Sequence, residues 1–197
     1  MKIDPLIAHF ANYLPLNDSE IQELQSRVTT KRVKRRQFIL QEGDVCTHYT
    51  FIVHGCLKMY KVDEKGQEHN LQFSIENEWI ADIGSFHTDT PSQLYIEALE
   101  QSELLQIAKA DLLHLYTHYA KFDRNFRVLI ENAFIDLQKR VLQNISSTAE
   151  ERYLDFLASY PQLFNRISNV QIASYLGVTP EFLSKIRKRL VEHGPKS

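Results

Sequence analysis

Few stretches constrain a fold as tightly as residues 168 to 190, Ser-Asn-Val-Gln-Ile-Ala-Ser-Tyr-Leu-Gly-Val-Thr-Pro-Glu-Phe-Leu-Ser-Lys-Ile-Arg-Lys-Arg-Leu. Ser168 and Gln171 have the spacing of a capping box, in which each side chain satisfies the other's backbone N–H. Ile172 and Leu176, four apart, share one helical face beside the small Ala173. Gly177 falls where the chain must turn through positive φ. Thr179 is a helix N-cap, and Pro180 suits the first helical position, where no N–H is needed. Leu183, Ile186 and Leu190 then form an apolar stripe. Opposite it, at about 100° per residue, stand Glu181, Ser184, Lys185 and Lys188, with Arg187 and Arg189 at the borders. Two short helices joined by a glycine turn, the second basic on its outer face, have the layout of a helix-turn-helix. Its partner is double-stranded DNA, with base edges read in the middle of the face and phosphates held at its borders. The plainer reading is a helical hairpin with a solvated basic face.

Charge divides in the same direction. From Arg166 to Ser197 six Lys/Arg stand against two Glu, a balance of +4 in a chain whose net charge is −2, which leaves −6 on the remainder. A basic effector module on an acidic body is the expected organisation. A second basic run, Lys31 to Arg36, is read first as a cluster that blocks pairing at a strand edge, with DNA contact as the alternative. No apolar run is long enough to span a membrane, and the N-terminus lacks the apolar core and cleavage site of a signal peptide. Cys46 and Cys56, the two cysteines among 197 residues, form no CxxC and are read as reduced thiols in a cytoplasmic protein.

Upstream the periodicity changes twice. Residues 1 to about 30 read as helical, with Ile21, Leu24 and Val28 at helical spacing after Asn17-Asp-Ser-Glu. Short β runs follow at Gln37–Leu40, Tyr49–Val53, Cys56–Val62, His69–Ser74, Tyr95–Leu99 and Glu103–Ile107. Asp63-Glu-Lys-Gly66 is a hairpin signal. Many short strands at close spacing predict a barrel or double-sheet jelly roll. The helical period returns from Lys109. Phe122, Phe126, Leu129, Ala133, Leu137 and Val141 form one stripe over about five turns, long enough for a coiled-coil seam; packing on the roll is the other reading, and both hold if they use different faces. Another helix is expected from Thr148 to Tyr160, ending before Pro161.

The order of roll, long helix and helix-turn-helix resembles the catabolite activator and fumarate–nitrate regulator family of transcription factors, over essentially the whole chain. The residues that carry the resemblance are Glu42-Gly43-Asp44, Phe51-Ile-Val-His-Gly55 and Lys58-Met-Tyr60 in the roll, and Ile172 to Lys185 in the tail. The resemblance implies an α+β fold: an N-terminal antiparallel β-roll (a double-stranded β-helix, or jelly roll) with flanking helices, a long central dimerisation helix, and a C-terminal helix-turn-helix. The domains would be 1–120 for the sensor roll, 121–146 for the helix and 147–197 for the DNA-binding unit. It also implies a homodimer whose seam is the Phe122–Val141 stripe, and a small-molecule effector held by the roll.

The family's nucleotide binders carry a Gly-Glu pair for the ribose and, about ten residues on, an Arg followed by Ser or Thr for the phosphate. Here those places fall on Ala81-Asp82 and Ser92-Gln93. Asp82 is a shorter stand-in for the Glu, and nothing replaces the Arg, so a buried phosphate would lose its charge-assisted bidentate partner. Cyclic AMP is therefore not the expected effector. Asp82, Ser85, Ser92, Gln93 and Tyr95 are candidate polar handles of a pocket walled by Trp79, Phe86 and Tyr95, unless those aromatics are simply core. In the tail, Pro180 stands where the best-known members place a base-reading Arg, and the sequence stops at Gly194-Pro-Lys-Ser, before a full wing.

No metal site, cofactor or catalytic residue is expected. His48, His54 and His69 form no H-x-H, and His114 and His118, four apart, lack a third ligand. The competing function is a ligand-binding or protein-interaction module whose helix-turn-helix has no specific DNA target.

Overall fold

The computed structural model describes residues 3–193. Two helices, α1 (Asp4–Ala11) and α2 (Asp18–Arg27), precede eight strands. These are β1 (Val28–Val33), β2 (Phe38–Leu40), β3 (His48–His54), β4 (Leu57–Val62), β5 (Glu68–Ser74), β6 (Trp79–Ile80), β7 (Tyr95–Ala98) and β8 (Ser102–Ala108), with the short α3 (Ile83–Thr88) between β6 and β7. They form two four-stranded sheets, ordered β1-β8-β3-β6 and β2-β7-β4-β5, and every pairing is antiparallel. Helices α4 (Lys109–His118), α5 (Ala120–Ser146), α6 (Ala149–Ser159), α7 (Asn169–Leu176) and α8 (Pro180–His193) complete the fold. The α+β class and the antiparallel roll are as the sequence implies.

The first thirty residues need a correction. α2 starts as expected, with Asn17 and Glu20 in a reciprocal capping box. It stops at Arg27, and Val28 opens a strand paired with Ile107. Val28 does fit a helical stripe, yet it also begins Val-Thr-Thr, a β-branched run that favours a pleated sheet. Sheet pairing wins because it buries Val28 and Val33. As an edge strand β1 carries Lys31 and Arg32, and Lys34 to Arg36 follow it, which places the basic run at a sheet edge.

Two turns show how local sequence sets the roll. Asp63 Oδ1 accepts the N–H groups of Lys65 and Gln67, each at 2.9 Å, and closes the β4–β5 hairpin. Gly55, at φ +109°, leads from β3 into β4 so close to β8 that an added Cβ would lie 2.0 Å from Ser102 Oγ; only glycine fits there.

The roll packs on α1 and the first half of α5 through aromatic rings. Phe126 meets Trp79 at 5.1 Å and Phe10 at 5.6 Å between centroids, and Phe10 meets Phe122 edge-on at 5.9 Å. Fully buried Asn125 clamps the segment after α1, its amide bonding both Leu14 N–H and Leu14 C=O at 3.0 Å. A second core lies at the C-terminal end. There Tyr153, Phe156 and Leu163 join Ile172, Leu176, Leu183 and Ile186, and the roll contributes Cys56, Phe73 and Ile75. Both cysteines are free and buried. Among the described residues no helix is long and apolar enough to cross a membrane. The expected lack of a wing concerns residues 194–197, which lie outside the described residues.

Candidate nucleic-acid interface and effector cavity

Helices α7 and α8 are set by the caps that their sequence spells out. Ser168 Oγ accepts Gln171 N–H while Gln171 Oε1 accepts Ser168 N–H at 2.9 Å. Gly177 adopts φ +69°, and Val178 N–H returns to Ala173 C=O at 3.0 Å, closing the helix with a left-handed residue. Thr179 Oγ1 then accepts Phe182 N–H at 3.2 Å as the N-cap of α8. Leu183 and Ile186 are buried, and Glu181, Ser184, Lys185 and Lys188 are exposed together on the opposite face.

Two of the expected contact residues are occupied elsewhere. Arg187 lies 5.3 Å above the Phe164 ring and bonds the Asn169 side chain. Arg189 pairs with Glu150. Both are half-buried, and these partners lie outside α8. Ser184 Oγ donates to Pro180 C=O at 2.9 Å, so its proton is held within the helix. The exposed ring of Phe182 was missed in the sequence, although it sits off the Leu183–Ile186–Leu190 stripe.

This two-helix unit is docked on the roll. Ser174 Oγ donates to Glu68 C=O at 2.6 Å and accepts Asn70 N–H at 3.0 Å, so α7 lies against β5. Arg140 reaches from α5 to the carbonyls of Asn70, Leu71 and Tyr175, and its guanidinium sits 4.0 Å above the Tyr175 ring. Arg166 makes a bidentate pair with Glu76, at 2.8 and 3.0 Å, and also engages Glu100. Burial alone would raise the Glu76 carboxyl. The bonds from Arg166 and from Gly55 N–H outweigh it and hold the group at about 2.

The predicted effector handles separate into two groups. Asp82 caps α3 by accepting Ser85 N–H at 3.2 Å, and it accepts Ser92 Oγ–H at 2.7 Å. Ser85 Oγ donates to Thr90 C=O and accepts Cys46 N–H, so these three side chains hold a loop together. Gln93 is exposed and bonds Lys61. Tyr95 bonds Glu42 and stacks on Tyr60 at 5.3 Å. Nor do Trp79, Phe86 and Tyr95 wall one pocket: Phe86 is core, edge-on to Tyr49 at 4.8 Å, and Trp79 faces α1 and α5.

A cavity lies elsewhere. Of about 670 Å³, it opens between β6, α5 and α7, with Trp79, Ala81 and Ile83 on the roll side and Ala133, Asp136 and Arg140 on the long helix. Tyr49 lines it, and its buried hydroxyl has no hydrogen-bond partner among the described residues; Trp79 Nε1–H donates to His9 Nε2 at 3.3 Å, with burial lowering the His9 pKa. Glu78 also lines it. Burial pushes that carboxyl up, Ile75 N–H opposes, Glu76 and Asp136 add to the rise, and the group reaches about 7.

The predicted seam is corrected by the same geometry. Phe122 and Phe126 are 0% and 2% exposed inside the protomer's own core, Leu129 packs against that core, and Ala133 lines the cavity. Of the six, Ala133, Leu137 and Val141 are exposed, and Ile130, Phe134 and Ile145 lie on the exposed surface with Leu137 and Val141 at spacings of three and four. Helix α5 thus uses one face for the roll and presents another to the outside.

Comparison with known proteins agrees with this architecture. Residues 30–119 match the cyclic nucleotide-binding domain model. Over 191 residues the chain is 24% identical to an anaerobic regulatory protein of Aggregatibacter actinomycetemcomitans, covering 91% of this chain and 74% of that one. It is 26% identical to a probable transcriptional regulator, flp, of Lacticaseibacillus casei, covering 90% and 83%. Among solved structures, FixK2 from Bradyrhizobium japonicum superposes with a TM-score of 0.74 at 18% identity over 85% of this chain and 86% of that one. The c-di-GMP-responsive regulator CLP of Xanthomonas campestris gives 0.73 at 15% identity over 90% and 93%. The roll is a cyclic-nucleotide-binding-domain fold. The relatives that align with most of the chain are transcriptional regulators.

Proposed function

We propose that the protein is a dimeric, cytoplasmic DNA-binding transcriptional regulator in which α7 and α8 are a helix-turn-helix, α5 pairs with its copy, and an effector other than cyclic AMP acts through the cavity beside α5. The observation that carries this reading is α8 itself: its apolar face is buried, its N-terminus is capped by Thr179, and Lys185 and Lys188 are exposed on one side. Helix N-terminal residues are those that meet base edges when such a helix enters the major groove. Glu181 is suited to a cytosine amino group and Lys185 to guanine O6 and N7.

Selection from random-sequence duplexes tests it. The full chain is expected to enrich a palindrome with half-sites about one helical turn apart. Lys185→Ala should cost about 1–3 kcal/mol on the selected site and relax preference there, whereas Lys188→Ala should weaken every duplex and lower the salt slope by about 1. If nothing is enriched at moderate salt, the interaction-module reading replaces this one.

Against a cyclic nucleotide stands the engagement of Asp82 by Ser85 and Ser92, with no arginine at the phosphate position. Thermal melting with excess cyclic AMP should therefore leave the midpoint unmoved. A ligand bound tightly to the folded state must raise it, so a clear rise overturns this part.

A further inference from the structure

We propose that Phe182 is a specificity-determining residue that packs its ring on the 5-methyl group of a thymine in the major groove, an inference that rests on α7–α8 being the DNA-reading unit. The first turn of α8 is poor in hydrogen-bond donors. Pro180 has no N–H, Glu181 offers only acceptors when ionised, and the Ser184 hydroxyl proton is bound to Pro180 C=O. Lys185 is the first exposed side chain of the helix with a donor free to reach outward. Next to Glu181 and three residues before Lys185, the Phe182 ring is 48% exposed at the border of the same face.

Its placement is rigid. The Phe182 N–H is held by Thr179 Oγ1, and the adjoining Leu183 is fully buried, so the ring is presented from a pinned backbone. A phenyl ring can neither donate nor accept a conventional hydrogen bond. Along the major-groove edges of the four bases, the thymine methyl is the apolar feature that such a ring complements. The tip of α8 therefore carries an acceptor, an apolar ring and an ammonium side by side, a set matched to cytosine, thymine and guanine.

The experiment uses the full chain and Phe182→Ala, each selecting from one random-sequence duplex library, followed by titration of the wild-type-selected duplex and of its deoxyuridine analogue. The analogue lacks only the methyl group. The wild type is expected to select a fixed thymine in each half-site and to bind the analogue about 4-fold more weakly per methyl, about 15-fold for two half-sites, from the loss of one buried methyl in each. Phe182→Ala should lose the thymine preference and bind both duplexes equally, with an unchanged melting midpoint because the ring is exposed. Equal binding of the two duplexes by the wild type, or an undiminished thymine preference in Phe182→Ala, overturns the inference while DNA reading stands. Failure of the wild type to enrich any sequence overturns both together.

Discussion

Phe134→Asp is expected to convert a dimer into a monomer without unfolding either. Phe134 is 58% exposed near the middle of a stripe formed by Ile130, Phe134, Leu137, Val141 and Ile145 on α5. Spacings of three and four make such a stripe a seam for a second helix. In a two-fold pair the same position recurs on both helices, so one substitution places two carboxylates in one interface. An unpaired charge taken from water costs several kcal/mol, and a loss of about 4 kcal/mol weakens association roughly a thousandfold. Sedimentation velocity of the two proteins over a dilution series reads this directly. A wild type that is monomeric throughout, or a Phe134→Asp variant that stays dimeric, contradicts the seam. Phe126→Ala, two turns earlier on the same helix, should behave differently. Its ring contacts Phe10, Tyr49, Trp79 and Tyr116, so truncation should cost about 3–5 kcal/mol of folding stability in urea melts.

Glu78→Gln is expected to stabilise the protein at pH 8 and to do little near pH 4.5. The folded-state carboxyl titrates at about 7, against 4.5 when exposed. Between these values the folded state holds the proton and the unfolded state has lost it, so Glu78's contribution to stability falls as pH rises from about 4.5 through 7 and is level above that. At one pKa unit per 1.36 kcal/mol, the deficit at pH 8 is at most about 3 kcal/mol. Glutamine keeps the shape without the charge and removes that deficit. Urea midpoints at the two pH values should diverge between wild type and variant; an equal difference at both would refute the buried-carboxyl account. Glu76, two residues away, has the opposite sign. Held at about 2, it contributes stability above pH 4.5 that is lost as the pH falls toward 2. The same short segment thus loosens in base through one carboxylate and in acid through the other, where Arg166 holds Glu76.

Legibility in the sequence followed the range of the interactions. The α7–α8 pair was readable because Ser168, Gln171, Gly177, Thr179 and Pro180 act on backbone groups within four residues of themselves. The hairpin at Asp63–Gly66 was readable for the same reason. Val28 was not, because a β-branched residue at helical spacing satisfies either period until a partner strand is supplied, and Ile107 lies far along the chain. The mutual bonding of the effector candidates was not legible either: Asp82, Ser85 and Ser92 are free polar groups in a string, whereas in space they satisfy one another and Cys46 N–H.

What the sequence determined by itself is therefore the set of locally governed elements: the strand-rich body, the 27-residue helix α5, the capped helix pair and the basic outer face of α8. Which face of α5 meets the roll was left to the tertiary structure, because the apolar side chains from Phe122 to Ile145 wind around most of the helix and only packing separates Phe126 from Phe134. Tertiary structure also drew Arg187 and Arg189 back into internal contacts, left Phe182 exposed, and opened the cavity between roll, long helix and α7. Those outcomes depend on desolvation and on partners distant in sequence, and no local rule carries that information.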